Sequence, residues 1–152
     1  MSTPIERVVH YTRGVRALVQ AKAPPGGGPK PLTALDGMEA LARLLACTAE
    51  PQAERARRMA PSVAGDPVAL LAAARALRFY LPVEPGGLYE VEATIVPDEG
   101  ELAVVQVEAR RENGERAARG ELRYLLVPGA GEHVRDSKDR DAVRARLGPG
   151  PW

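Results

Sequence analysis

The sequence predicts an α+β domain in which a curved, mostly antiparallel sheet encloses one long central helix. Three observations predict it. Several segments alternate apolar and polar residues with period two, as strands with one buried face do. One segment, residues 32–49, carries apolar residues at helical spacing with few charges. The turn residues between the last strands leave room only for short connections, so those strands read as neighbours in a meander.

The alternation is clearest in four places. Val15, Ala17, Val19 and Ala21 alternate with Arg16, Leu18, Gln20 and Lys22. Tyr89, Val91, Ala93 and Ile95 alternate with Glu90, Glu92 and Thr94. Ala103, Val105, Val107 and Ala109 form a third set, and Gly120, Leu122, Tyr124 and Leu126 a fourth. Pro97, Asp98 and Gly100 supply turn chemistry between the second and third sets, and Asn113-Gly114 is a tight-hairpin pair before the fourth. A further strand is predicted over residues 77–83, burying Leu77, Phe79, Leu81 and Val83 and ending at Pro85-Gly86-Gly87. With the three strands that follow, it gives four strands in meander. At the front, residues 7–11 and 15–21 can pair through Thr12-Arg13-Gly14.

Within residues 32–49, Leu35, Met38, Leu41, Ala42, Leu45 and Ala46 recur at helical spacing, and only Asp36, Glu39 and Arg43 are charged. A helix this apolar is expected to be enclosed by other structure. Residues 23–31 form a Pro/Gly loop, and residues 50–66, charged and bounded by prolines, read as a short helix and a loop. Residues 68–75 remain open between helix, from their alanine content, and an extension of the next strand. A short surface helix is expected at 136–147, followed by a loose tail. The whole reads as one domain over residues 1–130 with a C-terminal tail at 131–152.

Composition narrows the function classes. Of the 152 residues, 45% are hydrophobic and only 4% aromatic, so the core must be built from Leu, Val and Ala. The formal net charge is +1 with both signs interspersed, which gives no basic stripe for nucleic acid. The single cysteine, Cys47, excludes an intrachain disulfide. The polar start lacks a signal-peptide core, and no run reaches the length of a membrane span, so a cytoplasmic location is expected. No cluster of metal-ligand residues is evident, and no cofactor is expected. Gly26-Gly27-Gly28 lacks the Lys-Ser/Thr ending of a phosphate loop.

The run Asp36-Gly37-Met38-Glu39-Ala40-Leu41-Ala42-Arg43 resembles the central-helix motif of the beta-hydroxyacyl thioester dehydratases. Gly37-Met38-Glu39 followed by Ala42-Arg43 is similar to the Gly-Ile-Glu-x-x-Ala-Gln pattern of their aryl-polyene-type branch. Residues 77–86, Leu-Arg-Phe-Tyr-Leu-Pro-Val-Glu-Pro-Gly, resemble the family's Arg-Phe-x-x-Pro-Val-x-Pro-Gly strand. The resemblance spans residues 5–127. It implies a hotdog fold, a homodimer with active sites at the subunit interface, and an acyl chain presented as a thioester on an acyl carrier protein or coenzyme A. The implied chemistry removes water from a 3-hydroxyacyl group, using a His from the loop before the helix and a carboxylate from the helix of the other subunit.

The sequence departs from that pattern. Glu39 keeps the carboxylate, and Asp36, Gly37 and Arg43 stand where the resemblance implies contacts to substrate, but the helix Gln is Arg43 and the loop has no His. The only histidines are His10, on the first strand, and His133, in the tail. Elimination needs both a base and an acid, so dehydration is expected to be weak or lost. Glu39 also has two structural readings: a capping box with Asp36, and a helical ion pair with Arg43. Cys47 is expected in the core, and Lys22 and Lys30 read as solvated loop charges with a second reading as contacts to a carrier's phosphopantetheine.

Three functions follow as alternatives. One is a dehydratase-like binder of acyl thioesters in fatty-acid or polyketide-type metabolism. Another is a hotdog thioesterase using Glu39, with a backbone N–H near Gly37 stabilising the oxyanion. The third is a non-catalytic interaction module. An apolar tunnel reaching Glu39 favours the first two, and a filled core favours the third.

Overall fold

A computed structural model of the chain describes residues 4–26, 32–62 and 67–129. The elements run β1 (Ile5–Thr12), β2 (Arg16–Lys22), α1 (Leu35–Ala46), α2 (Gln52–Met59), β3 (Val68–Phe79), β4 (Leu88–Val96), β5 (Leu102–Arg111) and β6 (Arg116–Val127). The strands form one six-stranded sheet in the order β1-β2-β4-β5-β6-β3, antiparallel throughout. One face of this sheet carries α1, which touches every strand.

The period-two reading places most inward residues correctly. Ala17, Val19, Ala21, Tyr89, Val91, Ala93, Ala103, Val105, Val107, Ala109, Leu122, Tyr124 and Leu126 are all buried. Ile95 and Gly120 are only half-buried, and Val15 departs further. It is exposed in the β1–β2 turn, where its N–H donates to Thr12 O at 3.0 Å and Gly14 takes φ +73°. The Asn113-Gly114 pair serves a three-residue loop rather than a two-residue one. Arg111 N–H donates to Glu115 O at 2.8 Å, and Gly114 supplies the left-handed residue at φ +89°.

Two expectations about length and order are corrected. The central helix is not one long element over residues 32–49; α1 has 12 residues and α2, with 8, follows it. At its front, Leu32 is extended and bridges Val83, whose N–H donates to Leu32 O at 2.9 Å. At its end, Thr48 hydroxyl donates to Leu45 O at 2.7 Å and accepts Gly14 N–H at 3.2 Å, so the helix stops where it ties to the β1–β2 turn. The Asp36–Glu39 capping box is not formed either. The N-cap is Ala34, without a side-chain cap, and Asp36 lies inside the first turn, where a carboxylate favours the helix dipole.

The second correction concerns the strand expected at residues 77–83. Residues 68–75 are strand, and β3 is a 12-residue edge element ending at Phe79. Pairing with β6 overrides the helical propensity of its alanines. Register shifts between Leu71 and Ala73 and between Arg75 and Arg78 reset the alternation. Phe79 is therefore 45% exposed, Leu77 and Leu81 are half-buried, and only Val83 of the expected set is buried. β3 lies beyond β6, so the meander has three strands, and residues 80–87 return the chain from the sheet edge to its middle. The expected helix at 136–147, the tail and residues 27–31 of the Pro/Gly loop lie outside the described residues.

The core is α1 on the sheet. Met38, Leu41 and Leu45 are fully buried against a face rich in alanine, which lets the helix approach closely. Helix α2 docks on the β4–β5 turn: the buried Gln52 amide donates to Asp98 O at 2.5 Å and Gly100 O at 2.9 Å. Because close-packed side chains have no room to collapse, Leu41→Ala is expected to lower the unfolding free energy by about 2–5 kcal/mol. Met59→Ala, at a residue 68% exposed, should change it by less than about 0.5 kcal/mol. Urea titrations of both variants check this pair, and equal effects would contradict the placement of α1.

Candidate functional site

Helix α1 buries Gly37, Met38, Leu41, Ala42, Leu44, Leu45 and Ala46 and leaves a second face open. That face carries Asp36, exposed, with Glu39, Ala40 and Arg43 half-buried. All four candidate site residues are thus on one helix, and three of them (Asp36, Glu39 and Arg43) share its open face. Glu39 and Arg43 are joined. Glu39 Oε1 accepts from Arg43 Nε at 2.9 Å and Nη2 at 2.5 Å, with side chains 26% and 28% exposed. The expected helical ion pair is therefore present. A pair this wet contributes on the order of 0.5 kcal/mol. Its geometry matters more, because both bonds fall on Oε1 and Oε2 makes no hydrogen bond to any described residue.

Gly37 faces the other way, into the sheet. A Cβ there would fall 3.0 Å from Cε2 and Cζ of Tyr89 and closer still to its hydroxyl. Glycine is needed at this position because the phenol of β4 presses against the first turn of α1. Tyr89 is buried, and its phenol packs against the first turn of α1, which has no side-chain N-cap.

A second phenol lies beneath Glu39. Tyr124, on β6, is fully buried, and its hydroxyl donates to Glu39 O at 3.5 Å. Burial pushes both phenols up. For Tyr89 the value reaches about 12, with Asp36 adding to the burial effect and the Gly37 backbone opposing it. For Tyr124 the rise is larger, with the Glu39 carboxylate reinforcing burial and Arg43 opposing it. Both stay neutral at physiological pH. Neither was singled out from sequence. The available signal was a tyrosine on the inward phase of a strand, where a buried hydroxyl requires a partner.

The other singled-out residues are elsewhere. His10 sits on β1, its ring nitrogen 3.1 Å from Thr12 Oγ1. Cys47 is buried as expected, its thiol 3.4 Å from Arg43 O. Lys22 is exposed at the end of β2, and His133 and Lys30 lie outside the described residues. Among the described residues no group of three or more His, Cys, Asp or Glu could hold a metal, and no helix is long and apolar enough to cross a membrane. A cavity of about 220 Å³ opens beside Tyr89 between Val83, Glu84 and Arg111, and one of about 510 Å³ lies on the outer sheet face; neither is lined by Glu39.

This arrangement of strands and helix recurs in solved structures. An uncharacterised protein from Pyrococcus horikoshii is 21% identical with a TM-score of 0.55, over 84% of this chain and 86% of that one. A thioesterase from Haemophilus influenzae is 11% identical with a TM-score of 0.57, over 83% and 80%. A Streptococcus mutans protein bound to acetyl CoA is 10% identical with a TM-score of 0.56, over 82% and 90%. The chain has the hotdog fold. No family model and no curated protein matches the sequence.

The phenols give the fold a pH dependence of defined sign. An unfolded tyrosine ionises near 10 and Tyr89 in the fold near 12. The stability carried by the neutral phenol is complete below pH 10 and is lost as pH rises from 10 toward 12. The loss approaches about 1.4 kcal/mol per pH unit for each such group. Urea unfolding between pH 8 and 11 should show this fall in wild type and a shallower one in Tyr89→Phe. Parallel curves would contradict the assignment.

Proposed function

We propose that this chain is a dehydratase-like hotdog protein that binds acyl thioesters, carried by an acyl carrier protein or coenzyme A, with dehydration weak or lost. It acts in the cytoplasm in fatty-acid or polyketide-type metabolism. Glu39 lies at the reacting end of the acyl site, and Asp36 and Arg43 flank it. The observation that carries this reading is the Glu39–Arg43 pair on the open face of α1, with one carboxylate oxygen unengaged. The resemblance of residues 36–43 to the dehydratase helix supports the substrate class. The coenzyme A ligand of the Streptococcus mutans neighbour is compatible with it.

Elimination from a 3-hydroxyacyl group requires one group to take the α proton and another to protonate the leaving hydroxyl, a pairing worth about 10²–10⁴ in rate. Glu39 can fill one role. The buried phenol of Tyr124 is directed at a backbone carbonyl, and His10 is bound to Thr12, so neither supplies the second group. The thioesterase alternative keeps one support, the free oxygen of Glu39, which can act on a water. The close packing of the Tyr89 phenol on Gly37 weighs against it. Purified protein offered a 3-hydroxyacyl thioester and a saturated one should bind both and yield no enoyl product by mass spectrometry. Robust enoyl formation would refute the reading. Hydrolysis that vanishes in Glu39→Gln would transfer it to the thioesterase.

The proposed unit is a homodimer joined along β3. This edge strand is 12 residues long, and Leu71, Phe79 and Tyr80 stand exposed on it and just past its end. The opposite edge, β1, is shorter, with 8 residues, and short edge strands discourage edge pairing. Joining two copies at β3 would satisfy the free strand edge and complete a site that neither described cavity reaches. Sedimentation velocity at micromolar concentration should show a dimer, weakened by Phe79→Lys; a monomeric wild type would contradict the arrangement.

A further inference from the structure

The outer face of the sheet, opposite α1, holds a cavity of about 510 Å³ between β4, β5, β6 and β3. Arg75, Glu92, Thr94, Gln106, Glu108, Arg119 and Glu121 are among its lining residues. Its three carboxylates are already committed to arginines. Glu92 is held by Arg16 at 2.6 Å, Glu121 by Arg123 at 2.9 Å, and Glu108 by Arg110 and by Arg116 at 3.6 Å. Arg75 and Arg119 have no ion pair or hydrogen bond among the described residues. Neither does Arg78, which pairs in register with Arg119. Two like charges directly opposite on neighbouring strands repel one another and destabilise a sheet. The local charge is therefore positive and uncompensated.

A backbone feature brings these arginines together. Between Arg75 and Arg78 the β3–β6 register shifts, so three steps along β3 match two along β6, from Glu121 to Arg119. Ala76 sits in that bulge with φ +50°, a left-handed conformation that an alanine adopts at a cost, and it lines the cavity. The bulge keeps Arg75 and Arg78 on the same outer face as Arg119. On β6, Gly120 accommodates the bulge, because a Cβ there would lie 2.7 Å from Leu77 Cδ1. A strained residue, a register shift and a close glycine thus converge on one result: Arg75 and Arg119 line the cavity without an ion pair, and Arg78 stands opposite Arg119.

We infer that this outer face is a binding site for a phosphate-bearing anion, held by Arg75, Arg119 and Arg78. Guanidinium forks match phosphate oxygens in geometry and charge. Thr94 and Gln106 offer a hydroxyl and an amide to the rest of the ligand. The volume admits a molecule of nucleotide size. The site is on the sheet face rather than along the β3 edge, so edge pairing of two copies leaves it open. It does not depend on the acyl-thioester reading, since no residue of α1 takes part.

The test is titration calorimetry of the intact protein in low salt with inorganic pyrophosphate and, separately, with ADP. Both should bind with one site per chain. Arg119→Gln and Arg75→Gln should each weaken binding about tenfold, the effect of losing one charge-assisted hydrogen bond. Arg7→Gln, which removes a charge on the distant β1, should leave it unchanged. Thermal melts establish that each variant is folded, and Arg75, exposed on the edge strand, gives a variant whose folding is not at risk. Wild type that binds neither probe at millimolar concentration would overturn the inference, as would Arg75 and Arg119 variants that behave like Arg7→Gln. Binding of pyrophosphate with exclusion of ADP would overturn the nucleotide-sized ligand.

Discussion

The close seating of α1 on the sheet is the constraint on which the rest of the molecule depends. The helix can lie this near because the strands beneath it present alanines, Ala17, Ala93, Ala103 and Ala109 among them, in place of larger residues. At the helix start the approach is tightest, with Gly37 against the Tyr89 phenol. That contact fixes the rotation of α1 about its axis. It directs Met38, Leu41 and Leu45 inward and leaves Asp36, Glu39 and Arg43 outward. A side chain at position 37 would force the helix or the phenol to move, and the open face would turn with it. The tie between Thr48 and Gly14 holds the other end of the same helix.

The open face has a chemistry that follows from this geometry. It holds one carboxylate, tethered through a single oxygen to an arginine one helical turn away. Beneath it lies the Tyr124 phenol, and at the helix start the Tyr89 phenol packs on Gly37; burial keeps both neutral. Such a face suits recognition of a polar headgroup at the end of an acyl chain better than a two-proton elimination. The same sheet presents a different chemistry on its other side, where a bulge in β3 lines up arginines. The two faces share no residues.

Much of this was legible in the sequence, and the parts that were not have physical causes. Strict alternation identified β2, β4, β5 and β6, because each has one face on the core and one in solvent. Alternation failed on β3, where two register shifts reset the phase and the strand lies at an edge, so its alanines left residues 68–75 open between helix and strand and Phe79 read as buried. The helix was legible, but its ends were not. They are set by Leu32 bridging Val83 and by Thr48 binding the β1–β2 turn, and both contacts join residues more than thirty positions apart. The Glu39–Arg43 pair was legible from four-residue spacing alone. The phenols of Tyr89 and Tyr124 were not, since their partners lie on a helix some 50 to 85 residues away in the chain.

We propose that the open face of α1 is where an acyl thioester meets the protein. A crystal structure with a non-hydrolysable acyl-coenzyme A thioether tests it most directly. The expected result is the thioether sulfur beside Glu39, with the acyl chain running along the open face of α1. An analogue bound away from that helix, or absent at saturating concentration, would contradict it.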